Sequence, residues 1–277
     1  MQRKTIKTLI AVLVFVVAAC SAGINIFSDQ DEVNFGLQMD QEIRKNPKEY
    51  PIYSGNPAVK DYIDKKIFRE VLASPEIAKK SVYKYQLEII QNDTTLNAFA
   101  TPGGYVYVYT GLLKYLDSDA ALAGVIGHEI GHAERRHATQ KMTSIYGFQI
   151  LASLALGQNP SQIAEITANL FTGLAVLANS RANEDESDEY SIKYLSSTRF
   201  YPGSVKFFFE KMRDDGKVAS RGEGIGTFLS THPDPVARIT STEQRLMASG
   251  MEVKNYKATG KGIFKDEYKM NILAKLK

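Results

Sequence analysis

Five consecutive residues near the middle of the chain constrain its fold more than any bulk property: His128-Glu129-Ile130-Gly131-His132. On a helix, residues four apart are separated by about 40° around the axis and about 6 Å along it. Both imidazoles then reach one cation. Glu129, about 100° further round than His128, meets a water on that cation. The surrounding pattern agrees. From Asp117 it is helical to about Ser144, with Asp117 or Ser118 as N-cap, and it follows a strand.

A zinc ion held this way needs a third protein ligand and one position left open for chemistry. The chain has four histidines. One zinc-binding pattern extends the motif to a histidine ten residues after the first, and needs Gly at 135 and His at 138. Arg135 and Ala138 exclude it. His137 lies about 180° around the helix from His128, which points it away from the cation and into an ordinary hydrogen-bonding role. The acidic helix at 180–195 offers a better candidate. Glu184 and Asp188 are i and i+4 and share a face. Glu184 can bind the metal while Asp188 accepts the outer N–H of a ligand histidine, which fixes its tautomer and raises its basicity. Asp185, Glu186 and Glu189 read as a solvated face. His232 precedes Pro233 and Pro235, which hold it stiffly. It suits either a hydrogen bond to a tetrahedral intermediate or the fourth metal position in a latent form. Arg238 is a weaker candidate for an oxyanion or a substrate carboxyl end, with a salt bridge as its alternative.

Around these residues the chain reads as a mixture of helices and a few strands. Residues 31–79 are helical, interrupted by turn signals at Asn46-Pro47, Gly55-Asn56-Pro57 and Ser74-Pro75. Residues 82–90 alternate like a half-buried strand. Residues 94–110 predict two strands around Pro102-Gly103-Gly104, glycines that either form a simple turn or let a substrate backbone approach. Two apolar segments, Ile145–Leu156 and Ile163–Leu177, are each too short to cross a bilayer and predict packed core helices. A helix at about 203–213 precedes a mobile polar loop at 214–228. Residues 251–277 give no clear pattern.

The N-terminus sets the compartment. Arg3, Lys4 and Lys7 precede eleven apolar residues, Leu9 to Ala19, and the run ends in Val17-Ala18-Ala19-Cys20. This predicts an export signal at 1–19, with small residues before the cysteine as in the lipobox of bacterial lipoproteins; the alternative is a free cysteine at the end of an uncleaved anchor helix. Cys20 is then acylated, and 20–32 is the anchor and its tether. Several acyl chains give stable anchoring where one does not. Ser21, rather than Asp, points by lipoprotein sorting rules to the outer membrane. Residues 21–28 extend over about 25 Å at most, which keeps the folded part near the membrane. The formal charge is +3, and removal of residues 1–19 makes it zero. Nothing in that balance recruits nucleic acid. Cys20 is the single cysteine, so no disulfide forms within the chain.

Four blocks together resemble a known family: 97–104 with 109–113, Gly127 to His132, Ser180-Arg181 with Glu184 and Asp188, and His232 to Ile239. The chain is similar to the membrane-associated zinc metallopeptidases that include HtpX, the CAAX prenyl endopeptidases, BepA and LoiP, over roughly residues 30–245. Ser187 stands where relatives commonly have Ala. The resemblance implies an α+β fold, a mainly helical, zincin-like (gluzincin) domain at 33–250 with a small β-sheet beside the active-site helix. It implies one Zn²⁺ per chain on His128, His132 and Glu184, with Asp188 behind them and Glu129 as general base. The expected function is a zinc-dependent endopeptidase, lipid-anchored at the outer membrane and facing the periplasm. Its expected partners are unfolded or misassembled envelope proteins and the outer-membrane assembly machinery. Extended substrate is expected to add along the strand at 105–109 or along 97–100. A different class remains open: a chaperone-like binding protein for outer-membrane precursors with negligible cleavage.

Overall fold

The computed structural model describes residues 25–145, 179–218 and 225–276. The export signal, Cys20, both apolar segments apart from Ile145, and part of the polar loop lie outside the described residues.

Helix α1 (Asp29–Lys45) starts with a reciprocal cap. The Ser28 hydroxyl accepts from the Asp31 N–H, and the Asp31 carboxylate accepts from the Ser28 N–H. A second helical stretch runs through Pro57–Ile63, Asp64–Phe68 and Arg69–Leu72, with Asn56 as its cap and Pro57 at its first position.

The sheet has three strands, β1 (Gln86–Ile90), β2 (Ala98–Thr101) and β3 (Tyr105–Tyr109), in the order β1-β3-β2. β1 runs parallel to β3 with Gln86 opposite Tyr105, and β2 runs antiparallel with Thr101 opposite Tyr105. β1 is shorter than the alternation at 82–90 predicts, and beyond Gln86 at its start it is buried on both faces. Glu88 is buried and pairs with Arg44 at 3.1 Å and Lys60 at 2.6 Å. The polar residue at that position marks an ion pair with the covering helices rather than contact with water. Gly103 and Gly104 have φ of 75° and 92°, backbone that L side chains rarely adopt. A Cβ at Gly103 would meet the Glu32 carbonyl of α1, and one at Gly104 would meet the Tyr85 ring. They form a turn packed on its own chain, so the reading as a substrate approach is set aside.

Helix α2 (Asp119–Glu134) crosses the middle of the domain, capped by Ser118, whose hydroxyl accepts from the Ala121 N–H. All 16 of its residues are buried. Small and apolar residues on every side allow this, since a helix with no solvated stripe belongs in a core. Three glycines set how close its neighbours come. Helix α3 (Arg181–Leu195) packs on Gly127 and Gly131, where an added Cβ would lie 2.7 Å from Ser191 Oγ and 3.1 Å from the Ser187 carbonyl oxygen. The start of helix α4 (Val205–Asp214) abuts Gly124, where a Cβ would lie 2.5 Å from the Val205 nitrogen. A short helix, Ile225–Thr231, takes up the end of the stretch at 214–228 expected to be loop and continues past it, and helix α5 (Pro235–Ala248) follows.

α2 ends earlier than its pattern predicts. It stops at Glu134, and Arg136 takes a left-handed conformation with φ of 65° before helix resumes at 137–145. Neighbouring groups hold this break. Arg136 donates to Glu32 at 2.9 Å and to the Phe27 carbonyl, and Glu134 accepts from the Ala78 and Lys79 N–H groups at 3.0 Å.

One large core joins the 57–72 helices, the inner sheet face, α2 and the phenylalanines of α4. Residues 251–276 contribute to it: Ile263, Tyr268 and Ile272 are fully buried, and the Tyr268 hydroxyl donates to the Leu113 carbonyl at 2.7 Å. No described helix is long and apolar enough to cross a membrane.

Candidate active site

The close packing of α2 on α3 brings two parts of the chain, about 50 residues apart, into one buried cluster. His128 Nε2 and His132 Nε2 are 2.9 Å apart. Glu184 reaches both, with Oε2 at 3.3 Å from His128 Nε2 and Oε1 at 3.2 Å from His132 Nε2. His232, delivered by the helix at Ile225–Thr231, places Nδ1 at 3.0 Å from Glu184 and 3.4 Å from His128 Nε2. Its ring stacks on Phe228 at 4.7 Å between centroids. One donor atom from each of the four lies within 4.8 Å of the other three.

That spacing fits a cation. Tetrahedral bonds of about 2.0 Å put neighbouring donors about 3.3 Å apart, and the pairs above span 2.9 to 3.4 Å. Imidazole and carboxylate donors suit a borderline divalent metal.

The metal-free electrostatics are set by burial against partners. Burial and Arg238 pull His128 down, but Asp188 and Glu184 outweigh them and lift it to about 9. For His132 burial prevails, and it stays well below its ordinary value. Burial pushes Glu184 up, yet His232, Arg238 and His132 hold it well below the usual carboxylate range. Asp188 is lowered too, because Arg238 overcomes its burial. Glu129 differs. Burial raises it against the pull of His232 and His128, and its buried Oε1 has no hydrogen-bond partner.

Residues 59–246 match the sequence model of peptidase family M48. The chain belongs to that family. It is 35% identical over 145 residues to the mitochondrial metalloendopeptidase OMA1 of Arabidopsis thaliana, covering 52% of this chain and 28% of that protein. It is 32% identical over 166 residues to the beta-barrel assembly-enhancing protease of Escherichia coli K12, covering 57% of this chain and 33% of that one. The OMA1 metalloendopeptidase of Schizosaccharomyces pombe is 32% identical over 186 residues, covering 65% of this chain and 51% of its own. The chain thus spans about a quarter to a half of the length of these curated relatives.

Several residues of the chain take places that the motif alone does not give. Asp188 Oδ1 lies 2.9 Å from His128 Nδ1, on the outer side of that ring. Arg238 is buried and clamps Asp188 at 2.6 and 2.7 Å and Glu184 at 2.5 Å, with its guanidinium 4.2 Å from the centre of the Phe209 ring. Of the two readings of Arg238 the structure has the salt bridge. His137 is not among the clustered donors, yet it does not point away either. The break at Arg136 turns it back, and its Nδ1 lies 2.8 Å from His132 Nδ1. Glu186 is only half-solvated: it accepts from Arg135 at 2.8 Å and lies 2.8 Å from His137 Nε2. A 100° helical wheel drawn through Arg135-Arg136 hides both contacts.

The cluster opens onto a cleft of about 360 Å³ lined by Asn97, Phe99, Ala100, Glu129, His132 and His232 among others. β3 is the central strand, so its backbone is occupied on both sides. β2 is an edge strand of the three and lies along the cleft.

Proposed function

We propose that this chain is a zinc-dependent endopeptidase that hydrolyses unfolded or misassembled envelope proteins, held at the outer membrane by an acylated Cys20 and facing the periplasm. The catalytic part rests on the buried convergence of His128, His132 and Glu184 beside Glu129, whose Oε1 has no hydrogen bond and lies 3.8 Å from His232 Nε2. These three would hold the zinc, which when bound polarises a scissile carbonyl and acidifies a water. Glu129 takes the water proton and delivers it to the leaving amine. Its burial raises its proton affinity toward what that transfer needs. Asp188 orients His128, and Arg238 helps keep both Asp188 and the ligand Glu184 ionised.

His232 places Nδ1 3.0 Å from Glu184 and 3.4 Å from His128 Nε2, within the spacing of the donor cluster, which supports the latent role, in which Nδ1 would carry a lone pair rather than a proton. Substrate is expected to add to the edge of β2 as an extended strand. That mode reads backbone more than side chains, and unfolded chains offer backbone freely. The relatives named beta-barrel assembly-enhancing protease and the lipobox-like N-terminus support an envelope setting.

Cleavage of casein by the purified mature protein tests the catalytic part. Wild type should cleave, chelation should stop it, zinc should restore it, and Glu129→Gln should be inactive with its metal retained. His232→Ala should be more active than wild type. If zinc-loaded wild type and His232→Ala both leave casein intact, the peptidase reading fails and the holding protein takes its place. The anchor is tested by fractionation: Cys20→Ala should leave the membrane fraction, and its retention there would contradict lipid anchoring.

A further inference from the structure

The two histidines of the motif are braced from behind in different ways. His128 turns its outer nitrogen to a carboxylate, Asp188, itself clamped by Arg238. His132 turns its outer nitrogen to another imidazole. His137 is 1% exposed, and its Nδ1 sits 2.8 Å from His132 Nδ1. On its far side His137 Nε2 lies 2.8 Å from Glu186 Oε2, and Glu186 accepts from Arg135. Both bracing acids, Glu186 and Asp188, come from the same helix, α3.

Two Nδ1 atoms at this distance form a hydrogen bond only if one carries the proton and the other a lone pair. The choice is forced if His132 offers its Nε2 lone pair to a metal. Its proton is then on Nδ1, His137 accepts it, and the His137 proton must lie on Nε2 and go to Glu186. Ser187 Oγ, 3.3 Å from His137 Nδ1, is compatible with the same arrangement.

We propose that His137 is a positioning residue for His132: it fixes the tautomer and ring plane of that ligand through a chain running His132 to His137 to Glu186. This rests on the reading of the cluster as a metal centre. Metal ligands normally brace their outer nitrogen, and loss of the brace weakens metal binding by about 10–100-fold.

The test is the zinc dissociation constant of the mature protein, by competition with a chromogenic chelator, together with the visible spectrum of the Co²⁺ form. His137→Ala should weaken zinc by about 10–100-fold and alter the Co²⁺ bands. His137→Asn places an amide oxygen where Nδ1 stands and should stay within about threefold of wild type, because the bond is kept. His137→Gln puts its polar group at the Nε2 position and should behave like alanine. Asn and Gln carry the test if the alanine variant does not fold, and the melting point of each metal-free variant reports packing separately. Wild-type affinity in both His137→Ala and His137→Gln would overturn the proposal, and so would equal weakening in Asn and Gln. Wild type that binds no metal at all would instead overturn the metal centre itself.

Discussion

The two ends of α2 bury acid in opposite ways. At the site end, Glu184 and Asp188 have almost no exposure, yet imidazoles and Arg238 hold them ionised. At the start of the helix, Asp119 is just as buried. Its Oδ2 accepts from the Tyr62 hydroxyl at 2.7 Å, Arg199 stands 3.6 Å off, and Oδ1 has no partner. Burial lifts Asp119 to about 6. Glu129 belongs with Asp119 on this measure although it sits among the site residues, since it too is raised by burial and too has an orphaned oxygen. Burial pushes a carboxyl toward its neutral form, and nearby cations and hydrogen-bond donors oppose it; at Glu184 and Asp188 they prevail, and at Asp119 the Tyr62 hydroxyl and Arg199 do not. The proposed role of Glu129 in moving a proton rests on this difference: Glu184 and Asp188 are fully partnered, while Glu129 Oε1 has no hydrogen bond and His232 Nε2 stands 3.8 Å away.

The largest expected effect separates those two kinds of acid within the site. Glu129→Gln should lower peptide cleavage by about a thousandfold, the scale of a lost general base, with metal content unchanged. A loss of metal in that variant would put Glu129 among the holding groups and break the distinction.

Next comes the cation. Arg238→Met leaves Asp188 and Glu184 without their guanidinium and should cost about 3–5 kcal/mol of unfolding free energy in the metal-free protein. Urea denaturation measures it. A cost under about 1 kcal/mol would mean that the histidines alone keep these acids ionised.

Asp119 supplies the contrasting pH dependence. Its folded value of about 6 exceeds the ordinary 3.8, so the folded state binds the proton more tightly. The stability this group allows is greatest below about pH 4 and falls as pH rises toward 6, by up to about 3 kcal/mol. Asp119→Asn should therefore match wild type near pH 4 and exceed it at pH 7.5. A difference that does not vary with pH would remove the charge from the explanation. The smallest effect sharpens the same point. Tyr62→Phe removes the donor to Asp119, which should cost about 1 kcal/mol and move the pH-dependent loss to higher pH.

What was legible in the sequence was local. The i, i+4 spacing of His128 with His132 and of Glu184 with Asp188 put each pair on one helix face, and Ser118 and the Pro-Gly-Gly turn marked element boundaries. The helices at 181–195 and 205–214 fell close to where their patterns end. The misses are long-range. Arg135-Arg136 carries no stop signal; contacts with distant parts of the chain, Glu32, Asp29 and the Phe27 carbonyl on Arg136 and the Ala78 and Lys79 N–H groups on Glu134, hold the left-handed turn that brings His137 to His132. Arg238 stands out in the sequence as an oxyanion or salt-bridge candidate, but its partners Asp188 and Glu184 emerge only when α5 packs beside α3. The parallel pairing of β1 with β3 depends on a crossover that no short pattern encodes. Residues 251–276 lack helical periodicity because their apolar side chains are spread through irregular chain before they enter the core.

The central claim is that His128, His132 and Glu184 act as one metal site. Metal analysis of the purified mature protein, wild type beside Glu184→Ala, tests it most directly. The account predicts one zinc per wild-type chain and a clear loss of zinc in the variant. Equal metal in the two proteins would contradict it.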